Sequence, residues 1–164
     1  MSAAVQIRTA SVLESTLLEA LHRASCTADW DEAWSRQSFA ETLAMPGAIG
    51  LIAHVFDEPL GFALGRLAAD EAEVLLVATH PARRRQGIAR AMLLNLLQRL
   101  SAADAKRVFL EVAAPNVAAL ALYQAAGFCA VGRRPNYYRS NARRGGESAT
   151  DAVLLSRELH DITA

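Results

Sequence analysis

Between Ala72 and Leu100 the hydrophobic period changes within a few residues, and a strand, a tight turn and a helix in succession accommodate that change. Ala72-Glu73-Val74-Leu75-Leu76-Val77-Ala78-Thr79 reads as a strand. It stops at His80-Pro81, because proline has no N–H for a ladder bond and restricts the residue before it. From Ile88, the residues Ile88, Met92, Leu96 and Leu100 recur every four, with Leu93 and Leu97 beside them, as an amphipathic helix requires. Arg83-Arg84-Arg85-Gln86-Gly87 joins the two. The first N–H groups of a helix lack intrahelical partners and carry partial positive charge, so this junction offers a site for phosphate oxygens. Gly87 and Ala89 put little side chain in the way of a pyrophosphate, and Arg84, Arg85 and Arg90 add field. An ordinary solvated turn is the competing reading of this segment taken alone.

The other elements follow from the same signals. Val5-Gln6-Ile7-Arg8 alternates as an opening strand, and Ser11 is placed to cap a helix over about 11–24 with Leu13, Leu17, Leu18 and Leu21 as its apolar stripe. A short helix over 35–44 starts at Ser35 and ends before Pro46-Gly47. Residues 48–55 and 60–67 form a hairpin around Asp57-Glu58-Pro59. Arg107 to Ala113 is a strand, and Asn116 opens a helix that Gly127 terminates before a strand from Phe128 to Gly132. Ala152 to Leu155 gives the last strand, after a polar loop containing Arg143 and Arg144. Strands interspersed with helices predict an α/β or α+β domain with one mixed sheet.

A chain of 164 residues suits one domain, 1–164, and with 52% apolar and 21% charged residues it has the composition of a folded globule. The uncharged stretch Thr42 to Phe56 is broken by Pro46, Gly47 and Gly50 and is too short to span a bilayer. Met1 to Arg8 lacks the basic flank and apolar run of a secretory signal, so a cytoplasmic address and no membrane partner are expected. Cys26 and Cys129 have no metal-ligand spacing and are expected to be reduced, buried thiols; no metal is expected. His22, His54, His80 and His160 have no spacing partner and are assigned no chemistry. Net charge is zero, which argues against bulk nucleic-acid binding. The sum hides a division: residues 1–80 carry 4 Arg and 11 Asp/Glu, residues 81–164 carry 13 Lys/Arg and 6 Asp/Glu. The basic half suits an anion and the acidic half a cationic partner, with plain solvated faces as the alternative.

Asn116, Leu120 and Tyr123 stand at i, i+4 and i+7, so a carboxamide and a phenol share one helical face. An N-cap asparagine and a core tyrosine would give the same spacing. Taken together, Val77-Ala78-Thr79-His80-Pro81, Arg84-x-x-Gly87-x-Ala89, Asn116-x6-Tyr123 and Gly127-Phe128 resemble the GCN5-related N-acetyltransferase (GNAT) superfamily. The resemblance covers essentially the whole chain and is densest from about 70 to 138. It implies a mixed, mostly antiparallel sheet splayed between two central strands, with helices on both faces, that takes acetyl-coenzyme A as cosubstrate. It places the pyrophosphate on the amides of Arg85, Gln86, Gly87, Ile88, Ala89 and Arg90 and the pantetheine along Val77, Ala78 and Thr79. Asn116 would contact the cofactor.

Trp34-Ser35 followed by Phe39, Leu110-Glu111-Val112, Arg134-Pro135-Asn136-Tyr137-Tyr138 and Asp151-Ala152 narrow the resemblance to the branch that acetylates the N-terminal alanine of a ribosomal protein. That implies Glu111 as base, Tyr123 as acid, and Tyr137 and Tyr138 in the acceptor site. Two departures stand out. Thr79 occupies a position usually apolar in the family, and Arg139 to Thr150 is a longer connection than usual.

The residues support these roles independently. Acyl transfer from a thioester to an amine needs a neutral nucleophile, a polarised carbonyl and a proton for the leaving sulfur. Glu111 is the one polar residue between Val108 and Ala114, and alternation puts it on the face of Phe109 and Ala113. An exposed edge-strand glutamate or an ion pair is its bland counterpart, and Glu73, on a neighbouring strand, is an alternative base. Tyr123 is protonated at neutral pH and is the proton source. A backbone N–H near Ala78 or Thr79 would polarise the carbonyl.

Tyr137 and Tyr138 offer two flat walls for a short peptide, with Trp34 opposite, or are simply interior tyrosines of a strand. Asp29, Asp31 and Glu32 are placed to receive a basic second residue of the acceptor. The expected partner is thus an acceptor protein N-terminus, with a ribosomal protein as the candidate, and the chain acts as a monomer or weak dimer. A small-molecule amine, or a non-catalytic acyl-coenzyme A or nucleic-acid-binding role through Arg83-Arg84-Arg85 and Arg143-Arg144, are the alternatives.

Overall fold

A computed structural model describes residues 4–139 and 149–160. Along the chain run β1 (Gln6–Thr9), a 3-10 turn (Val12–Glu14), α1 (Ser15–Ser25), α2 (Arg36–Ala44), β2 (Ala48–Val55), β3 (Glu58–Ala68) and β4 (Glu71–Thr79). A second 3-10 turn (Pro81–Arg83), α3 (Ile88–Ala102), β5 (Arg107–Ala113), α4 (Val117–Ala125), β6 (Cys129–Arg139) and β7 (Ala149–Glu158) follow. The strands make one sheet in the order β1-β2-β3-β4-β5-β7-β6. Only β4 and β5 are parallel neighbours, because α3 carries the chain across between them. The other neighbouring pairs are antiparallel.

Strand alternation sorts the core into two layers. Leu51, Ala53, Ala63, Val74 and Leu110 face the buried stripe of α3, together with Tyr123 of α4. Ile52, Phe62 and Leu64 face the other way, onto Leu18 and Leu21 of α1 and Phe39 of α2. Helices therefore cover both faces. All six stripe residues of α3, from Ile88 to Leu100, are at most 2% exposed. Truncating one of the leucines to alanine should cost about 2–5 kcal/mol.

The two central strands separate after a short contact. Their ladder consists of Glu71↔Arg107, Ala72↔Val108 and Glu73↔Phe109. Beyond it β4 continues against β3 as far as Thr79, and β5 against β7 as far as Ala113. Leu64 pairs with Leu76 and Gly65 with Val74, so Leu75 is an extra residue on β4. A bulge of this kind bends and twists its strand, and this one lies where the two strands part.

Several expectations are corrected. Leu13 belongs to the 3-10 turn rather than to the first helix and is 95% exposed, because the tighter turn takes it off the apolar stripe. Cys129 is exposed, since β6 is the edge strand of the sheet and lies outside the core; Cys26 is half-buried. β6 runs on to Arg139 rather than stopping at Gly132, held by its pairing with β7. Most of the Arg139–Thr150 connection, with Arg143 and Arg144, lies outside the described residues. Among the described residues no helix is long and apolar enough to cross a membrane.

Candidate functional site

The turn before α3 is built to present main-chain donors. Gly87 caps the helix at φ +79°, a conformation glycine adopts freely. The first bond into the helix is from the Ala91 N–H to the Gly87 carbonyl, 3.0 Å. Among the described residues, none of the N–H groups of Arg85, Gln86, Gly87, Ile88, Ala89 and Arg90 has a protein acceptor. A Cβ added to Gly87 would meet nothing within 4 Å, so the space over this cradle is open. Arg85 and Arg90 are exposed beside it.

Arg84 serves a different purpose from the added field expected of it. Its guanidinium donates to the Ser25 carbonyl (2.8 Å), to Thr27 Oγ1 (3.3 Å) and to the Thr79 carbonyl (3.4 Å), tying the turn to the end of α1. Arg83 pairs with Glu58 at 2.9 Å. Val77, Ala78 and Thr79 line the parted section of β4, where β3 is their strand partner. Thr79 is 9% exposed, and its Oγ1 has no hydrogen-bond partner among the described residues.

Acid–base groups gather at the opening between β4 and β5. Val108, Leu110 and Val112 are buried towards α3, which turns Glu111 onto the opposite face, where Glu73 also projects. Confinement of the Glu73 carboxyl, with the Glu111 charge second, pushes its pKa above the usual carboxylate range; Arg134 and Arg66 oppose the shift. Glu111 is paired with Arg134, Nε to carboxylate oxygen 3.0 Å. The Arg134 guanidinium also lies 5.6 Å from the centre of the Tyr137 ring.

Tyr137 and Tyr138 stand edge to face, ring centres 5.1 Å apart at 88°. Consecutive residues of a regular strand would point to opposite faces. A register shift between Arg134 and Tyr138 removes that constraint. The Glu111 charge is the leading influence raising the Tyr137 pKa. Burial, then Glu111, then Tyr137 and Asp31, push Tyr138 up to about 12.

Tyr123 is buried and approaches the same cluster from α4. Burial, and secondarily Tyr138, raise its pKa far above the ordinary phenol. Its ring is fixed by Phe128, 5.8 Å away at 68°. Gly127 at φ +85° closes the helix, and the Phe128 N–H returns to the Tyr123 carbonyl at 3.0 Å. Asn116 is the N-cap of α4, its Oδ1 accepting from the Ala119 N–H at 3.2 Å. Its carboxamide oxygen is thus already engaged.

Near α2, Trp34 is half-buried and packs on Phe39, 5.5 Å between ring centres. Its backbone N–H donates to Nδ1 of the buried His22 at 3.1 Å. Asp31 holds its own loop, one carboxylate oxygen accepting from the N–H groups of Thr27 (2.9 Å) and Ala28 (2.8 Å). Asp29 and Glu32 are exposed. Sequence reasoning did not find the Arg134–Glu111 pair, nor His22 as support for Trp34. A lone arginine and a lone histidine give no spacing signal for either.

Known proteins resemble this chain in sequence and in fold. A model of the acetyltransferase (GNAT) family matches residues 16–128. The [ribosomal protein bS18]-alanine N-acetyltransferase of Escherichia coli is 36% identical over 95 residues, covering 58% of this chain and 61% of that protein. The N-alpha-acetyltransferase RimI of Mycobacterium tuberculosis is 36% identical over 135 residues, covering 80% and 79%. An uncharacterized Mycobacterium leprae protein is 34% identical, and the chain spans only 34% of its length.

Among solved structures, the E. coli ribosomal-protein-S18-alanine N-acetyltransferase superposes with a TM-score of 0.84 at 23% identity, covering 98% of this chain and 99% of that one. An Arabidopsis thaliana protein solved in complex with acetyl-CoA gives 0.78 at 18% identity, covering 95% and 99%.

Proposed function

The chain belongs to the acetyltransferase (GNAT) family, and from that premise we propose that it transfers acetyl from acetyl-CoA to the N-terminal α-amine of a protein. The names of the relatives from E. coli and M. tuberculosis support that acceptor class, with a ribosomal protein as the candidate. The observation that carries the reading is the parted edge of β4 and β5, with Glu111 of β5 held at 3.0 Å by Arg134 of β6 and the Tyr137–Tyr138 ring pair on the same strand; the Glu111 charge bears on Tyr138, and Tyr138 on Tyr123 of α4. A cytoplasmic address goes with a ribosomal acceptor.

The cradle residues 85–90 fit a pyrophosphate, offering unpaired N–H groups at a helix start and open space over Gly87. Val77 to Thr79 would take the pantetheine arm along an edge of β4 that lacks a β5 partner. When bound, acetyl-CoA supplies the activated carbonyl. Main-chain N–H groups of the parted β4 segment polarise it.

Glu111, directly or through an ordered water, accepts the proton of an α-amine whose ordinary pKa is about 7.7–8.0. A lysine near 10.4 would demand a stronger base. Glu73, whose pKa is raised, stands by as the alternative acceptor. As the C–N bond forms and the C–S bond breaks, Tyr123 donates a hydrogen bond to the departing sulfur, which leaves as the thiol with the second proton of the amine nitrogen.

Ordinary values of about 10 for tyrosine and 8.5 for a thiol make complete proton transfer from Tyr123 uphill. Burial raises the tyrosine further, and the same dry surroundings penalise a bare thiolate. Tyr123 therefore acts on the charge as it develops rather than on a finished thiolate.

Release of free coenzyme thiol on incubation with acetyl-CoA and peptides bearing N-terminal Ala or Ser tests the reading. Turnover on those peptides is expected. Silence on them with reaction of a polyamine or aminoglycoside would transfer the site to small amines, and no turnover on any amine would leave only a binding role.

A further inference from the structure

We infer, resting on the acetyl-transfer reading above, that Asp151 is the positioning residue of the acceptor site, its carboxylate pinning the β6 bulge that turns both Tyr137 and Tyr138 towards Glu111. Arg134 pairs with Ala152 and Tyr138 with Thr150, so Pro135, Asn136 and Tyr137 on β6 stand opposite the single residue Asp151 on β7. Three residues against one is more than a simple bulge and needs a fixed point. Pro135 has no N–H with which to supply one.

Asp151 supplies it from across the strand. One carboxylate oxygen accepts the Asn136 N–H at 2.9 Å, and the other accepts Arg133 Nε at 2.7 Å. The middle of the inserted segment, Asn136, and the strand just before it, Arg133, are thereby tied to one side chain. Asn136 sits at φ +53°, a left-handed conformation that asparagine tolerates better than most residues but that glycine alone adopts without strain.

The consequence is geometric. Arg134 lies 3.0 Å from the Glu111 carboxylate, and the rings of the consecutive residues Tyr137 and Tyr138 meet edge to face at 5.1 Å, both within the influence of the Glu111 charge. With β6 in regular register only one of the two tyrosines would face Glu111. Asp151 itself pairs with Arg133 and has no bond to Glu111 or to the cradle at 85–90 among the described residues. Its effect should fall on the acceptor and spare acetyl-CoA.

The test compares the full-length parent, Asp151→Ala, and Asp151→Ala combined with Asn136→Gly. With an N-terminal Ala peptide, Asp151→Ala should raise the peptide KM by roughly tenfold, with acetyl-CoA affinity by calorimetry changed by less than about twofold. Glycine at 136 takes the positive φ freely, so the double variant should recover several-fold of that loss. An unchanged peptide KM, an equal loss for both substrates, or a double variant no better than the single one would each overturn the assignment.

A parent without turnover on any N-terminal peptide would sink the reading of a protein N-terminus as acceptor instead. The pin is then read from amide hydrogen exchange at Asn136: faster exchange in Asp151→Ala supports it, and equal exchange overturns it.

Discussion

Arg134 Nε stands 3.0 Å from a carboxylate oxygen of Glu111, so the residue proposed as base holds a cation before any amine reaches it. An arriving ammonium must compete with that guanidinium. The Arg134 side chain is 57% exposed, which places the pair among those worth about 0–1 kcal/mol. Arg134→Gln should therefore lower the acceptor KM by up to about fivefold. Arg134 also holds the Glu73 pKa down, so the acidic limb of kcat/KM should move to higher pH if Glu73 takes part. Steady-state kinetics across roughly pH 5 to 9 check both effects.

Substitution of the two carboxylates separates their roles. Glu111→Gln should lower kcat by roughly 10²–10⁴-fold if Glu111 takes the proton. Glu73→Gln should then leave most of the rate, while removing a neighbouring negative charge from the opening. A larger loss in Glu73→Gln than in Glu111→Gln would hand the base role to Glu73, whose raised pKa already suits it.

Tyr123→Phe keeps the ring against Phe128 and removes the hydroxyl. Donation to the leaving sulfur in the transition state predicts a fall in kcat of roughly 10²–10⁴-fold with little change in acetyl-CoA affinity. Because burial holds the phenol protonated well above its ordinary pKa, Tyr123 should contribute no alkaline limb below about pH 10. A rate that survives the substitution removes Tyr123 from the reaction.

His22 gives a pH dependence of stability rather than of rate. Burial lowers its pKa, with Asp31 opposing, and its Nδ1 accepts from the Trp34 N–H, a role open only to the neutral ring. Below about pH 6.5 the unfolded chain binds a proton at this position that the folded chain resists. Stability should be complete above that pH and decline as pH falls from there towards the lowered folded value. Denaturant midpoints of the parent and His22→Gln, measured on either side of that window, should converge at low pH; parallel curves would refute the linkage.

Much of the fold was legible because local signals and tertiary packing agree. The four-residue repeat of α3 is the buried stripe of the helix, and Pro81 and Gly87 mark the turn before it. The face that Glu111 takes was legible from strand alternation, which the burial of Val108, Leu110 and Val112 reproduces. The bulges at Leu75 and at Pro135 to Tyr137 were not legible, because register belongs to a pair of strands and one sequence segment carries only half of it. For the same reason the sequence could not say that β6 would be an edge strand, which is why Cys129 was expected inside. Asn116 shows the converse: its N-cap role is visible locally, and that local bond engages its carboxamide oxygen.

The brief contact of β4 with β5, from Glu71↔Arg107 to Glu73↔Phe109, makes the sheet resemble a book held by a short spine. Past the spine the two leaves share no ladder bonds, so a slender amide-bearing arm inserted there would act as an eighth, borrowed strand. Cosubstrate loading and resistance to unfolding are then one linked equilibrium, and the protein should be hardest to denature when it is charged for its reaction.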